Sequence, residues 1–174
     1  MRRTLIAVPV LVLGLLWSCD NDDVTRPDAS DEERITRSYA AVQELSFEVV
    51  SGHVRVQAGA TDCTRVELAH TYSPVGVFKP EFIESDGELT LRETFDGGTV
   101  NGYSDWTVTC VPGTRIRFTS ASGDLQVTSP VSDLRATTAS GEVTIAAADG
   151  DMRITMRVVE WLLHGRRHSY LLSQ

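Results

Sequence analysis

Apolar residues recur at every second position along this chain, in groups that repeat. Ile116 and Phe118 lead through Ser122-Gly123 to Leu125 and Val127, and eighteen residues later Leu134 and Ala136 lead through Ser140-Gly141 to Val143 and Ile145. An earlier copy, Leu45, Phe47, Ser51-Gly52, Val54 and Val56, obeys the same rule, and a fourth begins at Met152 and Ile154. Counted from each glycine, apolar residues stand at −7, −5, +2 and +4, with serine at −1. Side chains two apart share one face of an extended segment, so each copy predicts two short strands meeting at a Ser-Gly corner. Glycine supplies a positive φ at such a corner, and serine hydrogen-bonds nearby backbone. Those serines and glycines are therefore structural positions. The fixed period predicts an all-β fold of stacked coils, a β-solenoid or β-roll; ordinary hairpins in a β-sandwich are the alternative.

One coil buries four apolar side chains, about 6–12 kcal/mol at 1.5–3 each. Ordering eighteen residues costs about 18–36 kcal/mol in backbone entropy. A lone coil cannot persist, and each needs neighbours to complete its ladder.

The segments around the repeats extend the picture. Val66, Leu68 and His70 alternate with Glu67 and Ala69, and Trp106, Val108 and Cys110 alternate again, each reading as a strand. Residues 81–93 predict a hairpin turning at Ser85-Asp86-Gly87. Residues 72–80 predict a loop, and Asp96-Gly97-Gly98 with Asn101-Gly102 predict a flexible tip. No helical period occurs before residue 156. The remainder, 156–174, is Leu-, Arg- and His-rich, unlike what precedes it. It reads either as a short C-terminal helix capping the open coil end with Val158, Val159, Trp161, Leu162 and Leu163, or as the product of a reading-frame shift after Thr155. In the second case the last coil leaves an unpaired edge prone to self-association.

The N-terminus carries an export pattern. Arg2 and Arg3 precede an apolar run over residues 5–17, shorter than a membrane span and matching a signal-peptide core. It ends in Leu16-Trp17-Ser18-Cys19, which resembles the bacterial lipobox and implies lipidation of Cys19 as the mature N-terminus. Trp17 is bulkier than the usual residue there, and a secretory signal cut elsewhere is the alternative. Asp20 stands where an inner-membrane retention signal would be in a Gram-negative cell. Residues 19–38 are crowded with acids and predict a flexible tether. The organisation is thus a signal peptide over 1–18, a tether over 19–38, a repetitive β domain over 39–155 and an atypical tail over 156–174. Net charge is −8, and removing the two arginines of residues 1–18 takes it to −10; Lys79 is the sole lysine. Such a chain is a poor match for nucleic acid or anionic lipid surfaces.

A more specific resemblance rests on three stretches: Trp-Thr-Val-Thr-Cys-Val-Pro-Gly-Thr-Arg from Trp106, Thr-Ser-Ala-Ser-Gly-Asp-Leu from Thr119, and Thr-Thr-Ala-Ser-Gly-Glu-Val from Thr137. Together with the first Ser-Gly copy they resemble the bacterial "putative adhesin" family of repetitive β domains. The resemblance covers about residues 39–155 and brings no catalytic residues with it.

Candidate chemistry is sparse. His53, His70, His164 and His168 show no zinc-ligand spacing, and no serine sits in a Gly-x-Ser-x-Gly elbow. His53 follows a corner glycine at the place held by Asp124 and Glu142, an outward, solvated position. Asp124 and Glu142 one coil apart would make at best a weak cation site. Glu93, Asp96 and Asp105 near Tyr103 and Trp106 read as a sugar-binding patch or as ordinary surface. Cys63 and Cys110 read as a disulfide or as two separate core thiols. No catalytic residue, metal or cofactor is expected. The reading is a non-enzymatic, membrane-tethered envelope lipoprotein with an adhesin-like domain, serving adhesion or scaffolding toward an envelope protein or glycan. The alternatives are a glycan-acting envelope enzyme and a periplasmic partner in envelope-stress signalling. The repeats present Arg117, Thr119, Gln126, Thr128, Arg135, Thr137 and Thr144 outward, which is not the clustered acid–base pair that glycan cleavage needs.

Overall fold

A computed structural model describes residues 32–59, 62–146, 150–156, 161–163 and 170–173. Twelve strands are formed: β1 Glu33–Ala40, β2 Glu44–Ala58, β3 Cys63–Ser73, β4 Phe78–Ser85, β5 Glu88–Phe95, β6 Asn101–Cys110, β7 Arg115–Val127, β8 Asp133–Thr138, β9 Val143–Ile145, β10 Asp151–Met156, β11 Trp161–Leu163 and β12 Tyr170–Ser173. The fold is all-β, and no helix occurs among the described residues. The strands form one open sheet whose main path runs β1-β3-β6-β2-β7-β8-β10-β12.

β2 and β7 are long because each carries a corner within it. The first half of β2 pairs in parallel with β5, and its second half with β6. Likewise β7 pairs with β8 before its corner and with β9 after it. The sheet therefore has a front flank (β4, β5, β8, β10, β12 and the first halves of β2 and β7). Its back flank comprises β1, β3, β6, β9, β11 and the second halves of β2 and β7. Between them lies the core: Phe82 of the front packs 5.6 Å from Trp106 of the back, centroid to centroid. All four apolar positions of the first three copies are buried, from Leu45 and Val56 at 0% exposure to Ile145 at 3%. Each such side chain contributes about 1.5–3 kcal/mol.

The register carries the period directly. Leu134 lies opposite Ile116, Met152 opposite Leu134 and Tyr170 opposite Met152, each eighteen residues on. On the back flank Val143 lies opposite Leu125 and Trp161 opposite Val143. The first copy stacks on the second from Glu44↔Arg115 to Val56↔Val127, although β3 to β6 intervene in sequence. Those intervening strands are an antiparallel insertion, β3-β6 on one flank, where β1 joins the outer edge of β3, and β4-β5 on the other. The predicted turn between β4 and β5 is present, with Asp86 (φ 51°) and Gly87 (φ 80°) both left-handed, the geometry a two-residue hairpin requires.

Three expectations need correction. The corner glycines are not uniform: Gly52 (φ 117°) and Gly141 (φ 127°) are left-handed, whereas Gly123 is not. What demands glycine at 123 is space, because an added Cβ would stand 2.8 Å from Ser120 Oγ and 3.0 Å from the Gly52 carbonyl oxygen. Second, the tether ends earlier than residue 38, since β1 closes the hydrogen-bonding edge of β3 from Glu33↔His70 onward. Ile35 and Tyr39 pack against the core, and the Arg37 guanidinium lies 4.2 Å from the Phe82 ring centre. Third, the described parts of the C-terminal segment are strands, not a helix. β9 and β10 offer unpaired ladders, and β11 and β12 satisfy them in the eighteen-residue register.

Candidate functional site

The corner column places chemistry on the outer surface of the back flank. His53 and Asp124, each the residue after a corner glycine, emerge there side by side on β2 and β7, and Asp105 of β6 stands opposite His53. Glu142 follows one coil further on. His53 Nδ1 lies 3.0 Å from Asp124 Oδ2, and the Glu142 backbone N–H donates to Asp124 Oδ1 at 2.7 Å. Thr144 Oγ1 donates to Glu142 Oε1 at 2.8 Å, and Arg55 Nη1 lies 3.5 Å from Asp105 Oδ1. A shallow cleft of about 250 Å³ opens here, bounded by His53, Arg55, Asp124, Gln126, Glu142 and Thr144. Tyr103, half exposed at 49%, stands on β6 two residues before Asp105 and projects from the same surface.

The line-up of Asp124 with Glu142 matches the sequence expectation, but both Asp124 oxygens already have partners. Among the described residues no group of three or more His, Cys, Asp or Glu is arranged to hold a metal ion.

The front flank carries a different lattice. Arg117, Arg135 and Arg153 form one column, and Thr119, Thr137 and Thr155 form the next. Glu44, nearly buried, lies 3.2 Å from Arg115 Nε and closer still to Arg117 Nε, and Asp133 Oδ2 is 3.4 Å from Arg135 Nε. Beside them Arg92 Nε donates to Glu48 Oε2 at 2.5 Å, a hydrogen bond that holds the Glu48 carboxyl below its usual range. A second cleft, about 380 Å³, lies at the Val111-Pro112-Gly113 corner. Its lining mixes Val42, Val111 and Pro112 with Gln43, Thr114, Arg115 and Ser132. Arg117, Thr119, Gln126, Thr128, Arg135 and Thr137 are exposed as the alternation predicts, and Thr144 is half-buried.

The sugar-binding patch expected around Glu93 and Trp106 is taken apart by the fold. Trp106 is fully buried and Glu93 is 6% exposed. Glu93 Oε2 accepts from the Val50 N–H at 2.7 Å and the Ser51 N–H at 3.4 Å, while Oε1 accepts from Trp106 Nε1 at 3.0 Å and from Ser104 Oγ. Ser104 Oγ also stands 2.9 Å from the Ser51 carbonyl oxygen. Glu93 thus ties the β2 corner to β6, because the bend at Val50–Ser51 breaks the regular ladder and leaves N–H groups to satisfy. Asp105 and Tyr103 do remain on the outer surface.

Beside this network His70, Tyr72, Phe78 and Phe95 form a ring cluster, with Tyr72 stacked on Phe78 at 4.6 Å and edge-on to Phe95 at 5.2 Å. Burial pushes the Tyr72 phenol up, and the Glu93 carboxyl adds to it. Burial pushes the His70 imidazole down, against the opposing pull of Glu33 at 3.7 Å.

Cys110 is a buried free thiol, so the bridge to Cys63 is not formed. The register gives the reason. Arg65 pairs with Thr109, so one step on it is Thr64, not Cys63, that faces Cys110, and adjacent strand residues point to opposite faces. Cys19, Asp20, His164 and His168 lie outside the described residues. At the corners, Ser122 Oγ donates to the Val50 carbonyl at 3.4 Å and Ser140 Oγ to the Ala121 carbonyl at 3.5 Å, and Ser51 pairs with Ser122.

No family model matches the chain, and no curated protein does. Among solved structures it is similar to a "putative cell adhesion protein" from Clostridium sporogenes ATCC 15579, with TM-score 0.47 and 10% identity over 71% of this chain and 68% of that one. It is also similar to a "putative adhesin" from Parabacteroides distasonis ATCC 8503, with TM-score 0.39 and 13% identity over 75% and 66%. A "putative lipid binding protein" from the same Parabacteroides strain matches with TM-score 0.38 and 8% identity over 71% and 62%. The chain spans about two thirds of the length of these structures. One of the three bears the adhesin name that the sequence motifs resemble and another is named a cell adhesion protein; the likeness carries no activity across to this chain.

Proposed function

We propose that this chain is a non-enzymatic, membrane-tethered lipoprotein of the cell envelope whose β-solenoid domain serves adhesion or scaffolding. The observation that carries this reading is the stacking register. Coils eighteen residues apart turn single outward residues into columns, as in Arg117, Arg135 and Arg153, and so build two broad polar surfaces on a narrow chain. Extended, repetitive surfaces of this kind suit contact with long or multivalent partners. What supports a binding rather than a catalytic role is the fate of Glu93. Of the acids near the aromatic pair it is the one drawn inward, and its oxygens accept from the β2 corner, Ser104 and Trp106.

The tether is read from the lipobox ending at Cys19, and the envelope location follows from it. Asp20 points to the periplasmic face of the inner membrane in a cell with two membranes. Labelling with a fatty-acid analogue is expected to mark the wild type and miss Cys19→Ala. Recovery of the Cys19 peptide joined to Cys63 would overturn the tether, because one sulfur carries a thioether or a disulfide and not both. Crosslinking in whole cells, followed by identification of what is captured, tests the adhesive role; capture of nothing beyond the chain itself would count against it.

A further inference from the structure

We infer that the front flank binds a linear glycan of uronic acids. The glycan lies across the strands, with its carboxylates on Arg117, Arg135 and Arg153 and its hydroxyls on Thr119, Thr137 and Thr155. The inference rests on the adhesive reading and names its partner class. The eighteen-residue register brings these residues into two parallel columns. Each step along a column is one strand spacing, about 4.8 Å. Every coil thus presents one guanidinium and, two residues on, one hydroxyl.

The guanidiniums stand furthest out. The side chains of Arg115, Arg117 and Arg135 are 50%, 56% and 63% exposed, whereas the acids that meet them, Glu44 and Asp133, are 9% and 29% exposed. In each of these pairs the acid lies against Nε. The Nη1 and Nη2 amino groups therefore stay available to an outside partner, and a planar guanidinium is suited to holding a carboxylate. Arg153 is exposed and has no ion-pair partner among the described residues. Like charges in register on neighbouring strands destabilise a sheet, a cost that the threonine column does not carry. A row of carboxylates laid along the ladder cancels that repulsion.

A cleft adjoins the ladder. Arg115 shares Glu44 with Arg117 and, with Gln43 and Ser132, lines the cleft of about 380 Å³ at the Val111-Pro112-Gly113 corner. That volume falls within the range of about 300–1,000 Å³ for small-molecule sites, and it gives an end ring of the glycan an enclosed seat.

Spacing and chemistry select among polyanions. A uronic-acid chain carries one carboxylate and free hydroxyls on each ring, and one ring is about as long as the gap between strands. In an extended acidic peptide the side chains of one face recur every second residue, about 6.7 Å, and fall out of step with the ladder. Single-stranded nucleic acid stacks its bases on aromatic side chains. The outward positions of β7, β8 and β10 hold no aromatic residue. The net charge of −8 gives no distant attraction to a polyanion, so the match at the ladder carries the binding.

The experiment titrates the full mature chain in detergent with hexamers of galacturonate, mannuronate and guluronate. The carboxyl-reduced form of each, a polyglutamate of matched charge and a thymidylate oligonucleotide are run alongside. At least one uronate hexamer is expected to bind at about 0.15 M salt and to be released at about 1 M. It should bind about tenfold or more tighter than its carboxyl-reduced form. Arg135→Gln and Arg153→Gln should each weaken it about tenfold, and Thr137→Val about threefold. Melting temperature should hold in all three, because the Arg135–Asp133 pair is a surface one and Arg153 has no pair to lose. Arg55→Gln, on the back flank, should leave binding unchanged. No uronate binding, equal binding of the reduced forms, tighter binding of polyglutamate or the oligonucleotide, or affinity indifferent to both arginine substitutions would overturn the inference. Should the uronates fail while crosslinking still captures an envelope partner, the glycan assignment is wrong and the adhesive reading stands; failure of both removes both.

Discussion

Three glycines give a sharp test of the coil stacking, because the corner residues Gly123 and Gly141, set beside Gly97 of the β5–β6 loop, separate two effects that usually travel together. Gly97 has a positive φ of 120° and nothing within 4 Å of an added Cβ. Gly123 lacks the positive φ, but its added Cβ would lie 2.8 Å from Ser120 Oγ and 3.0 Å from the Gly52 carbonyl oxygen. Gly141 has both problems: φ is 127°, and the added Cβ would lie 2.4 Å from the Gly123 carbonyl oxygen and 2.9 Å from its carbon. Backbone strain alone costs about 1–3 kcal/mol, at the low end where a loop can relax, as around Gly97. Overpacking costs about 1–3 kcal/mol. Gly97→Ala is therefore expected to lower stability by about 1 kcal/mol and Gly123→Ala by about 1–2 kcal/mol. Gly141→Ala is expected to lose about 3 kcal/mol or more, a fall in Tm of roughly 10 °C. Thermal and urea unfolding of the three variants beside the wild type reads this out. If Gly141→Ala melts with Gly97→Ala, the backbone of one coil does not press on the next, and the stacking described here is wrong.

Other consequences can be checked separately. Glu93→Ala should cost about 3–5 kcal/mol, because it strands the Trp106 indole N–H in the interior and takes the acceptor from the Val50 and Ser51 N–H groups at the β2 corner; a loss under about 1 kcal/mol in urea unfolding would contradict the network. His70 has its pKa lowered by burial, so the unfolded chain takes up its proton first. Its contribution is whole above the unfolded value of about 6.5 and is lost as pH falls through the lower folded value. His70→Phe should flatten that part of the stability–pH curve, and an unchanged curve would refute the assignment. The Cys110 thiol, pushed up by burial, should resist alkylation in the native protein and react fully in denaturant, as read by mass spectrometry of its peptide; rapid native labelling would show that β6 is not buried as described.

Much of this protein was legible without coordinates. Alternation is local, so Leu45, Phe47, Ile116 and Phe118 announced their inward side in any extended pairing, and a period of eighteen with glycine at its corner left few ways to stack them. The turn at Asp86-Gly87 was equally local. What the sequence could not show was which strands meet across long separations. Nothing near Leu45 says that it lies opposite Ile116, because that contact depends on β3 to β6 folding out of the way as a separate antiparallel insertion. The same cause moved Glu93 from an expected surface patch into the interior, where the β2 bend needed an acceptor. A one-residue offset in the β3–β6 register turned Cys63 and Cys110 to opposite faces. The tail shows the converse. Its composition departs from the repeat, yet β11 and β12 keep the eighteen-residue register, because a ladder pairs backbone groups that every residue except proline carries. Side-chain pattern therefore fixed which face of each strand is wet. Tertiary pairing alone fixed which of those wet residues, from Asp105 through His53 and Asp124 to Glu142, stand together.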